Sequence, residues 1–188
     1  MGVDATKAGF MVSSALFGMM FGAIFLGTIA DKIGRRWAIA ICIVLFSVFT
    51  ALAGLTKDPV WFSATRFLAG LGIGGVMPNV VAQMTEYSPK KIRATMGTLM
   101  FSGYAVGGML AAVLGKQFIE AYGWQSVFFA AGLPVVLIPF ILKSMPESMP
   151  FLLKQGRHDE LKAIVERLQP GFRPTASDHF ALPSEDKA

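Results

Sequence analysis

Five long apolar stretches follow one another along this chain, and they restrict its fold more than any other feature. They lie at about residues 8–30, 37–56, 60–84, 95–115 and 124–142. A helix needs about 20 mostly apolar residues to cross a bilayer, and only helices satisfy their own backbone hydrogen bonds there. Charged residues make up 15% of the 188 residues, below the roughly 25% of soluble domains. The sequence therefore predicts an all-α membrane protein with five transmembrane helices at 8–143.

The seventeen Lys and Arg residues predict how these helices are oriented. Most of them lie in two of the short connections, at 32–36 and 90–93, or in the tail after residue 142. Basic residues accumulate on the cytoplasmic side of membrane proteins. We therefore expect a multi-pass protein of the cell membrane with a cytoplasmic C-terminal tail. This distribution explains the net charge of +5, so we expect the lipid bilayer as a partner and no nucleic acid.

The tail after the fifth stretch has a different character. Pro146 and Pro150 interrupt it, and Leu161, Ile164 and Leu168 then recur at helical spacing. We expect a cytoplasmic linker with an amphipathic helix at 144–169. The polar, irregular sequence at 170–188 predicts a disordered tail.

Residue types that carry enzyme chemistry are scarce. The single cysteine, Cys42, lies in an apolar stretch, and both histidines, His158 and His179, lie in the tail. The pattern GLGIGG at 70–75 resembles a nucleotide-binding motif, but no strand precedes it, and helix packing explains its glycines better. We therefore expect no enzyme activity, no cofactor and no metal site.

Arg66 lies about seven residues into the third stretch, among apolar neighbours. A charge inside a membrane is costly, so such a residue indicates a functional role or a buried partner. The alternative is a side chain that extends to the nearer membrane surface. Asn79 and Tyr104 are polar residues in the spans and are candidates for substrate or proton contacts, although either could simply link helices.

Glycines four residues apart predict close helix packing in three spans. The pairs are Gly18 and Gly22, Gly70 and Gly74, and Gly103 and Gly107.

The stretch GTIADKIGRR, residues 27–36, places an acid and three bases between two apolar helices. A tight turn at Gly34 would let the chain reverse direction. Asp31, just past the end of its helix, would be badly placed against that helix's negative end and should seek a cation or another helix's N-terminus. We interpret the segment as one side of a conformational latch, here called the latch loop. Its residues are Gly27, Asp31, Lys32, Gly34, Arg35 and Arg36.

The latch loop resembles the signature G-x-x-x-D-[RK]-x-G-R-[RK] of the major facilitator superfamily. RFLAGLGIGG at 66–75 is similar to the family's fourth-helix pattern, and PESMPFLL at 146–153 to a segment after its sixth helix. Residues 8–168 most resemble the aromatic acid:proton symporter branch, which includes benzoate and hydroxybenzoate transporters. The resemblance implies proton-coupled uptake of a small aromatic carboxylate, with Arg66 in proton coupling or substrate binding.

Members of that family have twelve helices in two halves, and the first helix of this branch carries acidic residues thought to handle the proton. This chain resembles helices two to six, which implies a fragment that needs the missing helices or another chain. In the family, the residue matching Asp31 meets a helix of the second half. Two alternatives stay open. The chain is a non-transporting membrane fragment or subunit, or it is a sugar-porter-like member of the same superfamily.

Overall fold

Helices make up most of residues 4–168, the part of the chain that the computed structural model describes. The first four are long, and the rest are short. They are α1 Ala5–Ile33, α2 Arg35–Leu55, α3 Pro59–Tyr87, α4 Arg93–Tyr122, α5 Gln125–Ala130, a 3₁₀ turn Leu133–Leu137, α6 Ile138–Ser144, α7 Met149–Lys154 and α8 His158–Leu168.

Five helical segments are long and apolar enough to cross a membrane, which confirms the predicted fold class. Four are α1 to α4, and the fifth runs from Gln125 to Ser144. That fifth segment is not one regular helix, because Gly132, Pro134 and Pro139 divide it into α5, the 3₁₀ turn and α6. Proline has no backbone N–H to donate to the preceding turn, which explains the interruptions.

Helix α3 is the centre of the bundle, and its glycines bring it against α1 and α2. A Cβ atom at Gly72 would lie 2.5 Å from the Cys42 carbonyl oxygen of α2. On the other side, Gly18 and Gly22 of α1 face the backbone of α3 so closely that a Cβ would overlap it. Gly70 and Gly74 of α3 face α1 in the same way. The predicted close packing is therefore present between α1 and α3.

Helix α4 packs differently, since none of its residues is buried within the described part of the chain. A Cβ atom at Gly103 or Gly107 would have no neighbour within 4 Å among these residues. The prediction that this pair packs against a helix is therefore not met within residues 4–168.

Two short helices, α7 and α8, follow the last span. Leu152 of α7 is fully buried and Leu161 of α8 is 4% exposed, so apolar residues hold these helices in place. Their bounds fall within the predicted linker at 144–169, whose cytoplasmic location stays a prediction. The predicted disordered tail at 170–188 lies outside the described residues.

Candidate functional site

A single residue, Gly34, separates α1 from α2. Its φ of 95° and ψ of 145° lie in a region that only glycine enters readily, and its N–H donates to the Ala30 carbonyl at 3.0 Å. The predicted turn is therefore present. The prediction of a loop between residues 30 and 37 is wrong, because α1 continues to Ile33 and α2 begins at Arg35. One glycine reverses the chain, so no further loop residues are needed.

Glu147, which follows the last span, caps the start of α2. Its Oε1 accepts hydrogen bonds from the backbone N–H of Arg36 at 3.1 Å and of Ser148 at 3.0 Å. Its carboxylate also lies against Gly34, where a Cβ would be 2.7 Å from Oε2. The first N–H groups of a helix have no partner within it, and a negative charge there is favourable. Glu147 therefore stabilises the helix reversal from 111 residues away in the sequence.

Arg35 lies within ion-pair distance of two acids, which differ in their distance from Arg35 and in their exposure to solvent. A terminal nitrogen of its guanidinium lies 2.9 Å from Glu86 of α3 and 3.7 Å from Asp31 of α1. The Glu86 side chain is 14% exposed, whereas that of Asp31 is 64% exposed. An exposed pair is screened by solvent and contributes little. The Arg35–Glu86 pair therefore joins α2 to α3, and Asp31 remains accessible to another partner.

The end of α3 also holds the segment that carries Glu147. Tyr87 donates its hydroxyl to the Glu147 carbonyl at 2.5 Å, and Gln83 donates its side-chain amide to the Pro146 carbonyl at 2.8 Å. We call this arrangement the charged junction. It comprises Asp31, Gly34, Arg35, Gln83, Glu86, Tyr87 and Glu147.

Four residues of the charged junction lie outside the predicted latch loop. Glu86 was missed, although an acid at the end of the third span, on the same predicted side as three bases, is a usable signal. Glu147 belongs to a segment noted for its family resemblance, but no contact with the latch loop was expected. Among the remaining latch residues, Lys32 is exposed. Gly27 lies near Pro78 of α3, where an added Cβ would be 3.8 Å from the Pro78 Cγ.

Arg66 lies near the opposite end of α3 and is half-buried. Its guanidinium carbon is 6.0 Å from the centre of the Phe128 ring, over the face of that ring. Within residues 4–168, no acid lies at ion-pair distance from Arg66.

The other two candidate substrate contacts lie in very different surroundings. Asn79 is 2% exposed, and its side-chain amide donates to the carbonyls of Gly75 at 2.8 Å and Leu26 at 3.4 Å. It thus links α3 to α1. Tyr104 on α4 is 72% exposed. No hydrogen bond joins Arg66, Asn79 and Tyr104 within the described residues, and their role in substrate or proton contacts stays a prediction.

An open groove of about 370 Å³ runs between α1 and α3 beside the charged junction. Its lining includes Asp31, Arg35, Pro78 and Asn79. A separate cavity of about 530 Å³ lies at the far ends of α1 and α3, lined by residues such as Phe10, Met11 and Pro59. Residues 4–168 hold no cluster of three metal-ligating side chains.

Two solved structures that superpose on this chain are of a membrane transporter. The proton:xylose symporter XylE with bound 6-bromo-6-deoxy-D-glucose superposes with a TM-score of 0.80 at 20% identity, over 89% of this chain and 42% of XylE. A partially occluded inward-open form of XylE from E. coli gives 0.78 at 21% identity, over 89% and 46%. Identities this low show the fold alone, which is that of the major facilitator superfamily.

The family follows from the sequence match. A profile of the "Sugar (and other) transporter" family matches residues 3–181, so the chain belongs to this family of the major facilitator superfamily. The resemblance noted from the latch loop is thereby confirmed. Its curated relatives are named transporters and not enzymes, in agreement with the sequence prediction.

Several relatives are named for aromatic acids. The chain is 46% identical to the benzoate transport protein of Acinetobacter baylyi over 190 residues, covering 98% of this chain and 41% of that protein. It is 34% identical to the 4-hydroxybenzoate transporter PcaK of Pseudomonas aeruginosa, over 96% and 39%. It is also 34% identical to the niacin transporter NiaP of A. baylyi, over 87% and 37%. The chain thus spans about two fifths of the length of these relatives.

Proposed function

We propose that this chain is part of a transporter that takes up small aromatic carboxylates, such as benzoate or hydroxybenzoate, across the cell membrane together with protons. The observation that carries the substrate class is the 46% identity to a benzoate transport protein over nearly the whole chain. Relatives named for 4-hydroxybenzoate and niacin support the same class, because those compounds also join an aromatic ring to a carboxylate.

Arg66 is the residue proposed to act on the substrate charge. It is the one Lys or Arg within the apolar stretches at 8–30, 37–56, 60–84, 95–115 and 124–142. Its N–H groups fit a carboxylate in a two-pronged geometry. In a medium poor in water such a pair is strongly attractive, while apolar side chains accommodate the ring. Proton coupling is proposed from the family resemblance. Asn79 and Tyr104 are proposed as secondary contacts to the substrate or the proton.

The charged junction is proposed to govern the conformational change. Asp31 is mostly exposed at the edge of the open groove between α1 and α3. A helix from elsewhere in the transporter would present its positive N-terminus to this carboxylate. Following the distribution of basic residues, we place this end and the tail on the cytoplasmic side.

Two alternatives give different results in the same test. In the first, the chain is a non-transporting membrane fragment or subunit, because alternating access takes two halves and the chain spans about two fifths of its relatives. The 188-residue chain would then insert into the membrane without taking up benzoate. A sugar-porter-like member would take up a sugar instead, although the likeness to XylE concerns the fold alone.

The test is uptake of labelled benzoate by cells in two forms. One set expresses the 188-residue chain, and the other expresses the A. baylyi benzoate transport protein with its matching segment replaced by this chain. We expect benzoate uptake by the chimera, with loss on adding a proton uncoupler. Uptake of xylose but not benzoate would reject the substrate class. Uptake that persists with the uncoupler would reject proton coupling.

The Arg66→Ala variant of the chimera tests the site. Removing the charge that faces the carboxylate should lower uptake at least about tenfold, the loss expected for an unpaired charged partner. Phe129→Leu is the control, because Phe129 is 46% exposed on the surface of α5. Normal benzoate kinetics in Arg66→Ala would reject the role of Arg66 in binding the substrate and would favour a side chain that extends to the membrane surface.

A further inference from the structure

Three aromatic rings, of Phe62, Trp124 and Phe128, form a cluster, and one of them contacts Arg66. Phe128 of α5 lies 5.6 Å from Phe62 of α3 and 5.6 Å from Trp124, measured between ring centres, with both rings edge-on to it. Edge-to-face pairs at this separation are favourable. The guanidinium of Arg66 lies over the face of Phe128. The ring that contacts the cation is therefore itself held by two other rings.

Helix α2 fixes the same ring from a second direction. A Cβ atom at Gly54 would lie 2.8 Å from the Cβ of Phe128 and 3.4 Å from the Gln125 carbonyl oxygen. Real Cβ atoms do not come within 3.0 Å of a neighbour. The close approach of α2 to α5 at glycine thus sets where the Phe128 ring lies relative to Arg66.

A ring and an acid hold an arginine in different ways. An acid would engage the N–H donors and offset the positive charge. A ring attracts the cation through its face and leaves the five N–H donors in the guanidinium plane available. Within residues 4–168, Arg66 has the ring of Phe128 and no acid at ion-pair distance. Phe128 thus keeps the charge in place without occupying the donors that an anion would use.

We propose that Phe128 is a positioning residue for Arg66, whose ring, fixed by Gly54, Phe62 and Trp124, orients the guanidinium towards an anionic ligand. The inference rests on the proposed role of Arg66 in binding a carboxylate. Phe128 itself touches no substrate in this account. It restricts the conformations that the Arg66 side chain samples before the ligand binds. Arg66 therefore loses less conformational entropy on binding, which favours the bound state.

The contact is tested first in the purified 188-residue chain in detergent, by thermal unfolding of a double-mutant cycle. Phe128→Leu removes the π face, and Arg66→Met removes the charge. We expect Phe128→Leu to lower Tm by roughly 2–4 °C more in the wild-type background than in the Arg66→Met background. Phe128→Tyr retains the π face and should retain the coupling. Phe129→Leu should show none.

The positioning role is tested by benzoate uptake in the chimera described above. Phe128→Leu should raise the KM for benzoate roughly twofold to fivefold with the maximal rate retained, and Phe128→Tyr should restore the KM. Gly54→Ala, which displaces the ring without altering it, should raise the KM in the same way. Phe129→Leu should leave it unchanged.

The outcomes separate this inference from the proposed function. Additive Tm shifts for Phe128→Leu and Arg66→Met would overturn the inference even if benzoate is transported. Coupled Tm shifts with an unchanged KM would overturn the positioning role. A chimera that takes up no benzoate would contradict the proposed function, and the thermal cycle then decides alone whether Phe128 holds Arg66.

Discussion

Helices α1 and α4 carry the same sequence pattern in opposite surroundings. Gly18 and Gly22 of α1 lie against the backbone of α3, whereas Gly103 and Gly107 of α4 have no neighbour within 4 Å among the described residues. Both pairs have the spacing that lets helices approach closely in lipid. The comparison shows that two glycines four residues apart make close helix packing possible. Whether the helix is packed depends on a second helix whose surface fits against it.

The largest expected effect comes from filling the packed face. Gly22→Leu places side-chain atoms where the Leu71 backbone lies, and backbone cannot move aside as a flexible side chain can. We expect a loss of about 3 kcal/mol, the upper end of the range for overpacking, seen as a lower melting temperature in detergent. Gly107→Leu on α4 is the matched control and should leave the 188-residue chain unchanged. Equal effects would mean that α4 is packed in solution.

Removing the Glu147 carboxylate should have the next largest effect. Glu147→Ala leaves the partly buried N–H of Arg36 and the buried N–H of Ser148 without an acceptor, so we expect a loss of about 1–3 kcal/mol in unfolding free energy. Glu120→Ala on the exposed helix α4 removes the same charge where no such bond exists. If both variants melt at the same temperature, Glu147 does not cap α2.

Removing one hydroxyl group from a tyrosine of α3 and from a tyrosine of α4 compares a packed helix with an exposed one. Tyr87→Phe loses the hydrogen bond to the Glu147 carbonyl and should cost about 1 kcal/mol. Tyr104→Phe, on the 72% exposed side chain of α4, should leave the melting temperature unaltered. A lower melting temperature for Tyr104→Phe alone would place the stabilising contacts on α4 instead.

The smallest effect on stability is expected for Asp31→Asn. Its carboxylate is 64% exposed and 3.7 Å from Arg35, so removal of the charge should change stability by about 0–0.5 kcal/mol. Benzoate uptake by the chimera should nevertheless fall, because the proposed partner of Asp31 belongs to another part of the transporter. Full uptake by Asp31→Asn would contradict its role in the latch.

The five spans and the turn at Gly34 were predicted from local sequence, and the structure confirms both. Hydropathy over about twenty residues predicted five spans, because the lipid environment acts on each segment separately. A glycine beside two arginines predicted the turn at Gly34. The flanking helices run beyond the predicted spans, to Ile33 and from Arg35, since the sequence does not reveal that one glycine completes the reversal.

Contacts between distant segments were not predictable in the same way. The Arg35–Glu86 pair and the Glu147 cap both depend on how α2, α3 and the segment after α6 come together. Sequence indicated an acid and bases on one side of the membrane, but not which atoms meet. The ring over Arg66 was missed for the same reason, because Phe128 is one of sixteen phenylalanines.

The Glu147 cap also has a consequence for biosynthesis. The reversal at Gly34 is synthesised before its cap, because the carboxylate that caps α2 follows 111 residues after Arg36. Until then, the first N–H groups of α2 must be satisfied by water or lipid headgroups. The turn at Gly34 therefore reaches its final form only after the last of these five spans has been made, so the ordering of this end of the bundle follows the synthesis of all five.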